Sequence, residues 1–284
     1  MPLDSSIVGG TIAPLEHTVD ARWLMAYAAS LNDYNPLYLE TDKHTVIGHP
    51  VFPVCVEWPV ILNMREVAGT QSLTQEEAVR GVHAAHDLHI YRPIQDGDVL
   101  TTSATMVGVR SIRPGAAYTM RLDTLDQNGE LVARTYQLGI YRGVGVDGGD
   151  RQSEEIPALP IWETPPSTTT SIPIAAGAAH TYTECARIWN PIHTDRKVAL
   201  AAGLPDIILH GTATLAYAIS HLVNEFAGGD PGRVTRLGGR FAAMVLMPSD
   251  IEVAATNNNG TLSFTVFNEQ GEEAISGGFL CIKN

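Results

Sequence analysis

The chain has 284 residues, 44% of them apolar and 17% charged, a globular composition long enough for two modest domains or one duplicated unit. Its formal net charge of −13 excludes a general binder of nucleic acid or of acidic membranes, although two or three local arginines can still hold a small anion. No apolar run approaches a membrane span, the N-terminus shows no secretory pattern, and Cys55, Cys185 and Cys281 lack metal-ligand spacing; these features predict a cytoplasmic protein with reduced thiols and no membrane partner.

In chain order, Asp20 to Leu31 reads as a helix, with Trp23, Leu24, Tyr27, Ala28 and Leu31 at helical spacing. Asp20 is its expected N-cap, and Asn35-Pro36 is its expected stop. Strand-like runs follow at His83–Tyr91, Val99–Val109, Ala117–Leu125 and Leu131–Tyr141, with Asn128-Gly129 as a hairpin signal. From Val146 to Ser171 the chain is rich in Gly, Pro, Ser and Thr and has no sustained period. This places a linker at 148–171, between an N-terminal half at 1–147 and a C-terminal half at 172–284. In the second half a helix over Thr212–Phe226 is apolar nearly all round, so a curved sheet is expected to wrap it. Strands are expected at Val234–Leu246, Ile251–Ala255, Thr261–Asn268 and Glu273–Ile282, with Asn259-Gly260 as a second turn signal. Helices first and antiparallel strands afterwards make an α+β pattern.

The two halves repeat one another. Asp33-Tyr34-Asn35-Pro36-Leu37-Tyr38 aligns with Ile188-Trp189-Asn190-Pro191-Ile192-His193, 155 residues later, and Gly48-His49-Pro50 answers Leu209-His210-Gly211. The segment Ala186 to Ala216 resembles the motif region of the MaoC-like (R)-specific enoyl-CoA hydratases, whose pattern is roughly S-G-D-x-N-P-[LI]-H, then an alanine-rich stretch, then H-G before a central helix. Asn190, Pro191, Ile192, His193, Asp195, Ala199, Gly203, His210 and Gly211 fall on pattern positions. Asn32 to Pro53 is similar to the FAS1-like dehydratase N-terminal repeat of double members. The resemblance implies a double hotdog, in which each repeat is a helix wrapped by an antiparallel sheet and one repeat keeps the chemistry. A chain-level homodimer is then compatible with the fold but not required by it.

Hydration of an enoyl thioester requires a base for water, an acid for Cα and donors for the enolate oxygen. In the resembled family an Asp and a His hold the water, and the Gly N–H of the H-G pair forms the oxyanion hole. By that resemblance His193 is the catalytic histidine, Gly211 the oxyanion donor, and Asn190 a catalytic-loop residue equally able to brace the turn. The family's aspartate, however, is Ile188 here, and its Ser and Gly are Ala186 and Arg187. The first repeat has the opposite defect, with Asp33 present and Tyr38 in the histidine slot. Three readings follow: an atypical hydratase or dehydratase using His193 alone, a hotdog thioesterase with Asp206 as the nearest carboxylate, or a non-catalytic acyl-thioester-binding module.

The substrate implied is an acyl-CoA or acyl-carrier-protein thioester, without cofactor or metal. Ile188, Trp189, His210 and Arg240 are the expected substrate contacts, with Trp189 a pocket wall or core residue. Arg92 and Arg236 are further candidates for a CoA phosphate. His83, His86 and His89 are read as structural, because strand alternation should turn His86 away from the other two.

Overall fold

The computed structural model describes residues 2–160 and 166–283, so 161–165 of the expected linker lie outside the described residues. The chain forms two compact units. One contains the residues through His17, Val56–His89 and Val99–Leu159; the other contains Thr18–Cys55, Ile90–Asp98 and the residues from Pro160 onward. Both Asn-Pro loops therefore belong to the second unit.

In the first unit the strands run in the order Thr11–Thr18, Val99–Ile112, Gly115–Leu125, Leu131–Arg142, Gly81–Ile90. The three central strands are antiparallel neighbours, as short connections between them dictate. Their inner positions, including Met106, Met120 and Leu122, bury with Val60 of the helix Pro53–Leu62 and Met64 of the 3₁₀ turn Asn63–Glu66. The hairpin between Gly115–Leu125 and Leu131–Arg142 closes around Asp126, whose carboxylate accepts the N–H groups of Asn128 and Glu130. The strand Thr11–Thr18 has no counterpart in the sequence reading. His83 and His86 also depart from it, for their rings meet at 5.4 Å, while His89 packs on Tyr136.

The second unit has the order Val234–Phe241, Glu273–Ile282, Thr261–Phe267, Ser249–Asn258, Thr168–Ile174. Asn259 and Gly260 both take positive φ, 53° and 88°, as a tight turn between twisted strands requires. The last strand falls partly within the stretch expected to lack structure. Its β-branched run Thr168-Thr169-Thr170 pairs with Ser249–Asn258, and at the sheet edge Pro173 can be accommodated without a ladder donor. The strand expected to reach Leu246 ends at Phe241. The Ala242 and Ala243 N–H groups still donate to the Ala274 and Glu273 carbonyls; beyond them the Val245 carbonyl accepts the Leu209 N–H at 2.9 Å, tying down the loop before the apolar helix.

That helix, Gly211–Phe226, buries Ala213 through Ser220, then Leu222 and Val223, and packs on Glu273–Ile282 and Val234–Phe241. Phe264, Phe279 and Leu280 are buried on this sheet. At ~25 cal/mol per Å² each such side chain contributes roughly 1.5–3 kcal/mol of burial. Two shorter helices, Ala21–Ser30 and Ala178–Ala186, pack on each other. The Asp20 carboxylate caps the first, accepting the Trp23 N–H at 2.8 Å. Both helices end through a left-handed residue: Asn32 at φ 55° and Arg187 at φ 58°. In each case the next N–H reaches back to a carbonyl five residues earlier, Asp33 to Ala28 and Ile188 to Thr183.

Candidate active site

The repeat seen in the sequence becomes a geometric one where these helices meet. The hydroxyls of Tyr27 and Tyr182, 155 residues apart, lie 3.3 Å from each other. Each helix is followed by its Asn-Pro turn. The Asn190 side-chain oxygen accepts the Ile192 N–H, and Pro191 occupies the first position, where a missing N–H costs nothing. The single 3₁₀ turn Pro191–His193 then delivers the His193 ring.

His193 Nδ1 lies 2.8 Å from the Ile208 carbonyl oxygen. A carbonyl only accepts, so Nδ1 carries the proton and Nε2 keeps its lone pair. The ring stacks on His210 with centroids 3.7 Å apart and planes 25° from parallel. His210 Nε2 is in turn 3.1 Å from the Thr183 hydroxyl. Burial lowers the pKa of His193, with the Ile208 carbonyl opposing, so the ring is neutral at pH 7. Burial and then the neighbouring His193 push His210 well below its ordinary value. The geometry is that of a base with a fixed tautomer.

His210 also precedes the apolar helix, and no side chain caps that helix N-terminus. Gly211 opens it, so its N–H is one of the first-turn donors that lack an intrahelical acceptor. A Cβ added to Gly211 would come 2.9 Å from the Phe241 ring, so the glycine permits a close approach of helix and strand. Tyr182 and Thr212, whose hydroxyls bond at 3.1 Å, were not among the expected site residues. Extending the 155-residue repeat backwards to the Tyr27/Tyr182 pair would have found the first of them.

The remaining expected contacts differ in their surroundings. Ile188 is buried at 5% exposure, whereas Trp189 is 59% exposed and so is not a core residue. Arg240 is exposed. Arg92 is occupied by a two-pronged pair with Asp98 at 2.8 and 3.0 Å, and Arg236 lies over the Phe279 ring. Asp206 sits in a solvent-exposed pair with Arg196.

The first repeat lacks the parts for the same chemistry. Asp33 is buried and bonded to Ser220 and Asn224 on the apolar helix and to the Asn35 N–H; burial nevertheless raises its pKa. His49 Nδ1 accepts the Val51 N–H, so Nε2 carries the proton and donates to Ser220. Burial takes His49 down to about 3. The position answering Gly211 is Pro50, which has no N–H to offer an oxyanion. Asp33 also cannot complete His193. Its helix partners lie nine to thirteen residues beyond Gly211, about 14–20 Å along the axis.

An α+β chain with a neutral histidine beside an uncapped helix N-terminus is the class these features define. Residues 6–135 match the family model described as FAS1-like, dehydratase domain region, and residues 159–277 match that of the MaoC like domain. The chain therefore carries a FAS1-like dehydratase region ahead of a MaoC-like domain. It is 26% identical over 206 residues to peroxisomal multifunctional enzyme type 2 of Drosophila melanogaster, covering 72% of this chain. That match takes in 34% of the relative, so the chain spans about a third of its length. It is 29% identical over 251 residues to 3-hydroxyacyl-thioester dehydratase Y of Mycobacterium tuberculosis, covering 86% of this chain and 84% of that protein.

Among solved structures, a MaoC-like dehydratase from Phytophthora capsici matches with a TM-score of 0.85 at 19% identity, over 98% of each chain. A Mycobacterium tuberculosis protein described as having a double hotdog fold matches at TM-score 0.62 and 13% identity, over 96% of this chain and 95% of that one. At these identities the likeness is one of fold, and the fold is the double hotdog.

Proposed function

We propose that the chain is an enoyl-thioester hydratase, equally a 3-hydroxyacyl-thioester dehydratase in reverse, with the C-terminal repeat at 172–284 carrying the chemistry. The observation that carries this reading is the His193 tautomer, which leaves Nε2 basic in a loop adjoining the uncapped N-terminus of the Gly211 helix. His193 Nε2 takes a proton from water as the oxygen adds to Cβ. The thioester carbonyl, becoming an enolate, is held by the Gly211 N–H. The same Nε2 then returns the proton to Cα, so one water is added across the double bond and His193 ends as it began. Asn190 holds the turn, while Ile188, Trp189, His210 and Arg240 contact the substrate.

Ile188 removes the carboxylate that would otherwise share the water, and His193 therefore carries both proton transfers. The carrier is CoA or an acyl carrier protein. Three free thiols support a cytoplasmic setting, and among the described residues no helix is long and apolar enough to cross a membrane.

The test is turnover by the purified chain of enoyl-CoA and 3-hydroxyacyl-CoA thioesters, followed by absorbance of the conjugated enone. His193→Ala should lower kcat by roughly 10²–10⁴ while the unfolding transition is retained. An undiminished rate in that variant removes His193 from the mechanism.

A further inference from the structure

We propose that Arg187 is an anion anchor that sets substrate specificity: its guanidinium, fixed on the Trp23 ring in the loop leading to His193, receives an anionic group of the thioester. The proposal rests on the thioester reading given above. The anion is either a carboxylate on the acyl chain or a phosphate of CoA, two sources of one chemistry.

Three observations carry it. The first is backbone conformation. Arg187 occupies the left-handed C-terminal position of its helix, φ 58° and ψ 35°, a region disfavoured for residues with a Cβ. The family pattern has glycine there. The matching residue of the first repeat is Asn32, an amino acid that tolerates this region. Arginine is therefore the costly choice at a position where two cheaper ones are available. Strain of this kind persists where the side chain has a use.

The second observation is rigidity. The Arg187 guanidinium carbon lies 3.7 Å from the centroid of the Trp23 ring. Trp23 is itself held, with its indole N–H donating to the Cys185 carbonyl at 3.0 Å and its ring edge-on to Phe52 at 5.1 Å. Stacking uses the face of the guanidinium and leaves its edge N–H groups to bind an oxyanion in a preset orientation. Arg187 is solvent-exposed, and no carboxylate of the described residues pairs with it.

The third is charge. Where the family reads Ser-Gly-Asp, this chain reads Ala186-Arg187-Ile188. One negative charge is lost and one positive charge gained in adjacent residues, within a chain of net charge −13. A local inversion of this sort suits a ligand that brings its own negative charge to the loop. Merely covering Trp23 would not require it, because an uncharged side chain shields an indole as well.

The experiment compares the wild-type chain with Arg187→Gly, which removes the guanidinium and relieves the backbone, so loss of folding does not confound it. Four thioesters are used: a straight-chain enoyl group with and without a terminal carboxylate, each carried on CoA and on pantetheine, which lacks the CoA phosphates. Binding is measured by calorimetric titration and turnover by enone absorbance. A charge-assisted contact predicts that Arg187→Gly weakens binding of the recognised anion roughly tenfold or more. A penalty that follows the terminal carboxylate on both carriers assigns the acyl group, and one that follows CoA with both acyl groups assigns a phosphate. Equal binding of all four thioesters by wild type and variant overturns the proposal. An anion-dependent penalty in binding without any turnover sustains Arg187 and sinks the hydratase reading instead.

Discussion

His193 can serve as a base only while its ring is neutral, and the structure makes neutrality the default. Burial disfavours the imidazolium, so protonation sets in only below the ordinary histidine value of 6.5. The sign follows directly: lowering the pH converts the base to its inactive form, and raising it restores activity. We expect kcat/KM to rise with pH along a single limb whose apparent pKa lies below 6.5, then to stay level through neutrality. Because His210 is stacked on the same ring and also depressed, that pKa belongs to the pair. A limb above 6.5 in the pH profile would contradict the buried, neutral assignment. Ile188 matters at the same scale, since among the described residues no carboxylate acts on His193 as a counter-ion to hold its pKa up.

At the scale of elements, the apolar helix and the strand ending in Phe241 are set against each other through a glycine. Gly211 has ordinary helical geometry, so the demand for glycine is steric, with the Phe241 ring 2.9 Å from where a Cβ would stand. Gly211→Ala is expected to destabilise the chain by about 1–3 kcal/mol as an overpacked contact. It should also lower kcat, because relieving the clash moves the N–H that would hold the oxyanion. Adding Phe241→Leu should recover much of both losses. Urea unfolding and kcat of the single and double variants check this, and additive losses would mean that the two residues do not act through one contact. The caps of this region were legible beforehand: Asp20 and the Asn-Pro turns announce themselves by residue type, because each satisfies a main-chain donor a fixed number of residues away. The strand Thr168–Ile174 was not legible. Its first four residues, Thr168 to Ser171, read as linker, and only pairing with Ser249–Asn258 makes it a strand.

At the scale of the whole molecule, stability carries a pH dependence from one buried acid. Glu57 lies inside the first unit, with one carboxyl oxygen accepting from the Thr135 hydroxyl and the other without a partner. Burial raises its pKa from 4.5 to about 7, and the Thr135 bond only partly opposes that shift. The unfolded chain releases this proton near pH 4.5 and the folded chain near pH 7. Stability therefore falls as pH rises through that window and levels off above it, by about 3 kcal/mol at 1.36 kcal/mol per unit. Glu57→Gln keeps a partner for Thr135 and removes the charge. It should raise the melting temperature at pH 8 and leave it little changed at pH 4. Equal stabilisation at both pH values would show that Glu57 is not the titrating group.

Composition, the two Asn-Pro loops and the period of the apolar positions were enough for the α+β class and the repeat, while His193 and Gly211 were singled out by the resemblance of the second loop to a family motif. These are local properties: a cap, a turn or an amphipathic stripe is written within a few residues, and a repeat is visible by comparing two such stretches. What the tertiary structure decided was which groups confront one another. The proton position on His193 follows from a carbonyl fifteen residues away, and its stacking partner is His210. Asp33, placed by the sequence in the first repeat, is held by Ser220 and Asn224 on the apolar helix of the second. Arg187 gains its meaning from Trp23, 164 residues earlier. Such contacts depend on packing between segments distant in the chain, where no fixed spacing relates the partners, and the sequence by itself carries no local signal of them.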